Sequence, residues 1–214
     1  MTQHDSWPGQ DGPPEKDEVE EAEVEEAEQS ADEDTDGGGE PQLRIARQHA
    51  AGDLDVPDDI DLLEGEARDS RRGVGIVVSR FNGEIVNRLL ASALAELEAI
   101  GVDKQTITVM AVPGAFELPL GAMALAKTRR YSCIVALGCV IRGETAHFDY
   151  ISGEAASGLQ LAALETGVPV SFGVLTVDTL EQAEARIDKG ADAVRTALEM
   201  ADLFSQLRST AQAK

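Results

Sequence analysis

The segment Cys133-Ile134-Val135-Ala136-Leu137-Gly138-Cys139-Val140-Ile141 is an apolar run of strand length, and it leads into Arg142-Gly143-Glu144-Thr145-Ala146-His147-Phe148-Asp149. That glycine-bearing turn opens helical spacing from Phe148 to Thr166, which Gly167 stops. The same alternation extends in both directions. Upstream, Val74 to Val78 precedes the stripe Ile85, Val86, Leu89, Leu90, Ala93, Leu94, Leu97, closed by Gly101. Thr106 to Val112 then passes through Pro113-Gly114 into a second helical stretch, Phe116 to Thr128. Downstream, Val170 to Val177 is followed by helical spacing from Leu180 to Leu207, interrupted near Gly190. Parallel neighbours need crossover connections, so four strand-helix units in succession predict a four-stranded parallel sheet covered by helices on both faces. The expected fold is a three-layer α/β/α sandwich. Ligands of such sheets bind outside the carboxyl ends of the strands, so the segments after Val78, Val112, Ile141 and Val177 are expected to share one rim.

The chain has 214 residues and a formal net charge of −22, but the excess is unevenly placed. Residues 1–72 hold 24 acidic and 6 basic side chains; residues 73–214 hold 16 and 12. A halophilic acidic coat would cover both parts, and a nucleic-acid binder would need a basic stripe, so both classes lose support. Glu15 to Asp36 carries 13 acids against Lys16 alone and buries too little apolar surface to offset chain entropy, so residues 1–59 are expected to form a disordered acidic extension. Trp7 is expected to be an exposed tail residue, Leu43 to Ala50 a short helix, and Asp53 to Asp69 an extended arm lying on a partner. The folded domain is expected over 60–208, with 209–214 as a tail. Apolar runs such as Leu118 to Ala126 are too short to span a bilayer, and the N-terminus lacks a basic-then-apolar signal, so a cytoplasmic location without membrane contact is expected. Cys133 and Cys139 have no ligand partners at metal-binding spacing and read as buried thiols, with no metal and no disulfide framework.

Chemistry concentrates in the rim segments. Phe81, in Ser79-Arg80-Phe81-Asn82-Gly83, offers a face for a planar ring, although composition alone favours a core phenylalanine. In Pro113-Gly114-Ala115-Phe116-Glu117-Leu118-Pro119, the tight turn and small Ala115 allow close backbone approach, and Glu117 can either complement a helix dipole or accept hydrogen bonds from a polyol. The turn after Ile141 presents free N–H groups at a helix start, a suitable place for phosphate, with Thr145 as cap or donor. His147 is the sole histidine after Gly73; imidazole exchanges protons near neutral pH, while a lone histidine is more often a packing residue. Arg186 and Lys189 are spaced to share a helix face, either as a phosphate clamp or as ion pairs with Glu184 and Asp188. No dinucleotide fingerprint or Gly-Lys-Ser/Thr loop is present, and no cofactor is expected.

Taken together, Ser79–Asn82, Pro113–Pro119, Gly138–Asp149 and Gly167–Val174 resemble the 6,7-dimethyl-8-ribityllumazine synthase family over roughly residues 60 to 208. The resemblance implies a flavodoxin-like fold and the penultimate step of riboflavin biosynthesis: condensation of 5-amino-6-(D-ribitylamino)uracil with 3,4-dihydroxy-2-butanone 4-phosphate, without cofactor or metal. It assigns His147 to proton transfer. Phe81, Asn82, Ala115, Phe116, Glu117, Cys139, Val140, Ile141 and Phe172 are implied to bind the pyrimidine and ribityl groups, with Phe172 arriving from a neighbouring subunit. Glu144, Thr145 and Arg186 are implied to hold phosphate. Lys189 and Arg142 are further candidates beside that set; only Ile187 and Asp188 separate Arg186 from Lys189, where many bacterial members carry a longer turn, which weakens the carry-over to Lys189. The resemblance also implies a homopentamer, a 60-subunit icosahedral shell in some members, and riboflavin synthase as the candidate partner. The alternative it leaves is a non-catalytic flavin- or lumazine-binding or shell-forming homologue.

Overall fold

In the computed structural model, which describes residues 56–57, 59–69 and 72–212, the apolar runs pair as parallel strands. They are β1 (Gly73–Ser79), β2 (Ile107–Val112), β3 (Tyr131–Ile141) and β4 (Val170–Val177), in the order β2-β1-β3-β4. The three-layer flavodoxin-like sandwich is therefore the observed architecture. Val74, Ile76, Val78, Cys133, Val135, Leu137, Cys139, Leu175 and Val177 form one core with α1 (Gly83–Ile100) and α5 (Lys189–Gln212). Val77, Ile134, Ala136 and Val174 form the other with α2 (Leu118–Lys127) and α3 (His147–Thr166). This division follows the twofold alternation of side chains along each strand. A short α4 (Leu180–Glu184) follows β4.

Several local expectations shift for identifiable reasons. In α1 the buried stripe is Ile85, Val86, Leu89, Ala93 and Leu97, with Leu90 packed at its margin, while Leu94 is exposed, because a helix of 3.6 residues per turn carries position 94 around from the core face. Gly101 ends α1 in the left-handed region, φ 93°. The stretch expected to be helical from Phe116 begins instead as a single 3-10 turn, Ala115–Glu117, and α2 opens at Leu118 with Pro119 in its first turn, where a missing N–H costs nothing. The last helical stretch breaks at 185–188, where Lys189 N–H → Arg186 O (3.1 Å) and Gly190 N–H → Ile187 O (3.2 Å) tighten the chain. Arg186 and Lys189 consequently do not share a helix face. Gly190 then permits α5 to press on α1, since a Cβ there would collide with the Leu89 carbonyl.

Residues 64–68 lie as a strap on α5. Asp202, 8% exposed, accepts from the Glu66 N–H (3.1 Å), from the Arg68 guanidinium (2.6 and 2.8 Å) and from Gln206 (2.8 Å). Ile60, Leu62 and Leu63 of the expected arm remain exposed. The acidic extension through residue 55, with Trp7 and the stretch Leu43–Ala50, lies outside the described residues. Among the described residues no helix is long and apolar enough to cross a membrane.

The chain runs from β1 outward to β2, then returns across β1 to β3. Beyond the ends of β1 and β3 the connections diverge to opposite faces, which leaves an open crevice there.

Candidate active site

Strand lengths shape that crevice. Val78 pairs with Leu137 and Ser79 with Val112, so β1 and β2 end together, whereas β3 continues to Ile141, opposite Val177 of β4. Ile134 N–H → Pro169 O and Arg142 N–H → Val177 O turn the peptide groups of even-numbered β3 residues toward β4. Those of Cys139 and Ile141 then face the side that β1 has vacated, where backbone donors and acceptors want partners.

The segment after β1 is stitched to both neighbours. Arg80 N–H donates to Val112 O (2.9 Å) and Phe81 N–H to Pro113 O (3.1 Å), while Asn82 Nδ2 donates to Cys139 O (2.9 Å). Asn82 itself is left-handed, φ 56° and ψ 44°, a conformation that asparagine tolerates better than most residues. Its carbonyl accepts from Val86 N–H and starts α1. Phe81 is thereby pushed outward, 70% exposed, so the core reading that composition favoured is overturned: the ring is held by backbone bonds on both sides and caps nothing.

The cleft holds about 540 Å³ and is lined by Phe81, Asn82, Pro113 to Glu117, Cys139 to Ile141, Gly143, Thr145, His147, Phe148 and Ile151. Glu117 reaches back through Oε2 to Gly114 N–H at 2.9 Å, which fixes the carboxylate and leaves Oε1 for a ligand. Gly138 permits the close packing of α2 on β3, because a Cβ there would lie 3.0 Å from Leu118 Cδ1. His147 opens α3 with Ala146 as its N-cap; Thr145 does not cap, but its hydroxyl accepts from His147 N–H at a long 3.4 Å. Phe148 and Ile151 were not anticipated, though Ile151 stands four residues after His147, on the same helix face.

Five candidates lie elsewhere. Glu144 is exposed on the loop outside the cleft lining. Arg142 is occupied by Asp178 and Asp149. Arg186, past α4, donates from Nη1 to Gln182 O at 2.9 Å. Lys189 pairs with Asp192 at 2.7 Å, in place of the anticipated Glu184 or Asp188. Phe172 stands opposite Ala136, about 16 Å down the sheet from Ile141, and borders a second hollow of about 340 Å³ with Lys189. Cys133 and Cys139 are free and buried, and burial raises their thiols to about 12 and about 11.

Residues 72–205 match the family described as 6,7-dimethyl-8-ribityllumazine synthase. The chain belongs to that family. A 6,7-dimethyl-8-ribityllumazine synthase of Syntrophus aciditrophicus (strain SB) is 51% identical over 138 residues, covering 62% of this chain and 90% of its own. One from Yersinia pestis (strain Pestoides F) is 46% identical over 155 residues, covering 70% of this chain and 99% of its own. The lumazine synthase match thus spans all four strands and every residue that lines the cleft, and it begins beyond the acidic extension.

Proposed function

We propose that this chain condenses 5-amino-6-(D-ribitylamino)uracil with 3,4-dihydroxy-2-butanone 4-phosphate to give 6,7-dimethyl-8-ribityllumazine, phosphate and water, as a transferase of riboflavin biosynthesis. The observation that carries this reading is the convergence of Phe81, Glu117, Thr145 and His147 on one cleft in a lumazine synthase fold.

In this reading the pyrimidine stacks on Phe81, and its polar edge meets the peptide groups of Cys139 and Ile141. Glu117 Oε1 accepts from ribityl hydroxyls. Phosphate sits at the start of α3 against Thr145 and the N–H groups of residues 143–146, with Glu144 contributing its backbone. The uracil amine attacks the substrate carbonyl, water leaves as the imine forms, phosphate is eliminated, and the ribityl-bearing nitrogen attacks the carbonyl this elimination generates, closing the ring with loss of a second water. These steps need close positioning and a proton shuttle, a role this reading gives to His147, which lines the cleft.

Phe172 and Arg186 lie away from the cleft of their own chain, which supports a homo-oligomer in which a second copy supplies Phe172. A homopentamer, closed or not into a 60-subunit shell that takes riboflavin synthase as partner, is the assembly proposed. Residues 1–52 are proposed to be dispensable for catalysis, since the family match starts at residue 72. A cytoplasmic location is proposed with this activity, since the phosphorylated substrate does not cross a bilayer unaided and must be made where it is used.

Mixing the purified full chain with both substrates and following the lumazine chromophore tests the activity. Formation of product at a rate proportional to enzyme supports it; ligand binding by folded protein without turnover would favour the non-catalytic alternative. Sedimentation of the full chain and of a form lacking residues 1–52 tests the assembly and the extension together.

A further inference from the structure

Arg142 is the first residue beyond β3, and its side chain reaches three places at once. Nε donates to Asp178 Oδ1 at 2.9 Å, in the turn between β4 and α4. Nη1 donates to Asp149 Oδ1 at 3.1 Å, in the first turn of α3. The guanidinium carbon lies 4.0 Å from the centre of the Phe148 ring, a ring that lines the cleft beside Thr145 and His147. Asp178 is itself held, because its N–H donates to Gln182 Oε1 at 2.9 Å. The Arg142 N–H adds the bond to Val177 O at the end of β4.

We propose that Arg142 and Asp178 form a clamp that positions the 142–149 loop, so that Arg142 serves the phosphate site by holding the loop and not by binding phosphate itself. Two carboxylates already share this one cation, so the cluster is locally negative and offers a phosphate dianion no free positive charge. A planar, forked guanidinium bridges two acids while lying on a ring, which a lysine cannot do. Exposed ion pairs add little to global stability, so the effect of the clamp falls on loop geometry. The ends it joins, β4–α4 and α3, otherwise leave Gly143 to Ala146 exposed between them.

This inference rests on the proposed reaction for its kinetic test. Arg142→Lys and Asp178→Asn are each expected to raise KM for the phosphorylated substrate roughly 3- to 10-fold, well inside the hundredfold that a misplacement of about 1 Å can cost. KM for the pyrimidine and the thermal melt should stay near wild type, and the double variant should be no worse than the weaker single one, as for residues acting as a unit. In ligand-free protein, amide exchange at Gly143 to His147 should be faster in Asp178→Asn. If Asp178→Asn leaves the phosphate KM unchanged or lowers it while Arg142→Lys raises it, Arg142 is a direct phosphate contact and the clamp is wrong. Should wild type show no turnover, the catalytic reading fails separately, and unchanged amide exchange in Asp178→Asn would still overturn the clamp.

Discussion

The Asn82 side-chain amide donates to the Cys139 carbonyl at 2.9 Å, across 57 positions of sequence, and ties the end of β1 to the overhanging end of β3. Two demands meet at this residue: a left-handed backbone that turns Phe81 outward and starts α1, and a donor for a carbonyl that has lost its strand partner. Glycine meets the first demand alone, alanine neither, and aspartate sets a carboxylate against the carbonyl.

The three substitutions should therefore rank. Asn82→Gly loses one hydrogen bond, worth about 1 kcal/mol. Asn82→Ala adds about 1–2 kcal/mol of backbone strain, and the combined loss of about 2–3 kcal/mol corresponds to a rise in KM for the pyrimidine of roughly 30- to 150-fold. Asn82→Asp should be the worst. Steady-state kinetics on all three decides the matter; alanine performing as well as glycine would remove the backbone part of the explanation.

His147→Gln should lower kcat by roughly 10²-fold or more, the usual contribution of a positioned proton-transfer group, with little change in either KM. The imidazole is exposed at the first position of α3, so the melting temperature should not move. A variant with wild-type kcat would take His147 out of that role.

The strap on α5 should respond to acid. Burial pushes the Asp202 carboxyl upward, but the Arg68 guanidinium, Gln206 and the Glu66 N–H outweigh it and hold the group below its ordinary value of 3.8. A depressed folded value means that the stabilisation is complete above about pH 4 and disappears as pH falls through the folded value. Asp202→Asn should therefore melt earlier than wild type near neutral pH, and the two should converge in acid. Parallel melts as a function of pH check this; a constant gap would show that Asp202 does not titrate in the strap.

Both thiols should resist modification. Burial raises Cys133 to about 12 and Cys139 to about 11, so the thiolate that reacts is scarce near neutrality. An aromatic disulfide reagent should find no fast thiol in native protein and both after denaturation. A rapid native phase would mean that Cys139, at the cleft, opens to solvent.

Local pattern carried a great deal. The apolar run Val170 to Val177 is observed as β4 with those bounds, and Gly101 and Gly167 end their helices in the left-handed region, because chain-local sterics alone set these features. Periodicity failed where a neighbouring element intervened: the start of α2 yields to Pro119, and the last helix breaks before Gly190, where α5 meets the Leu89 carbonyl. Composition misplaced Phe81, since burial depends on what lies behind a residue, and here β2 and β3 hold its segment at the rim.

From residues alone, then, come the strand-helix alternation, the parallel sheet and the small set of segments at the strand ends, because propensity, periodicity and turn chemistry act over a few neighbours. Pairings between distant positions come from the folded chain: Asn82 with Cys139, Arg142 with Asp178, Arg68 with Asp202. Each joins groups dozens of residues apart, and no local preference specifies them. They arise because the strand order β2-β1-β3-β4 and the overhang of β3 bring unsatisfied backbone and charged groups within hydrogen-bond reach.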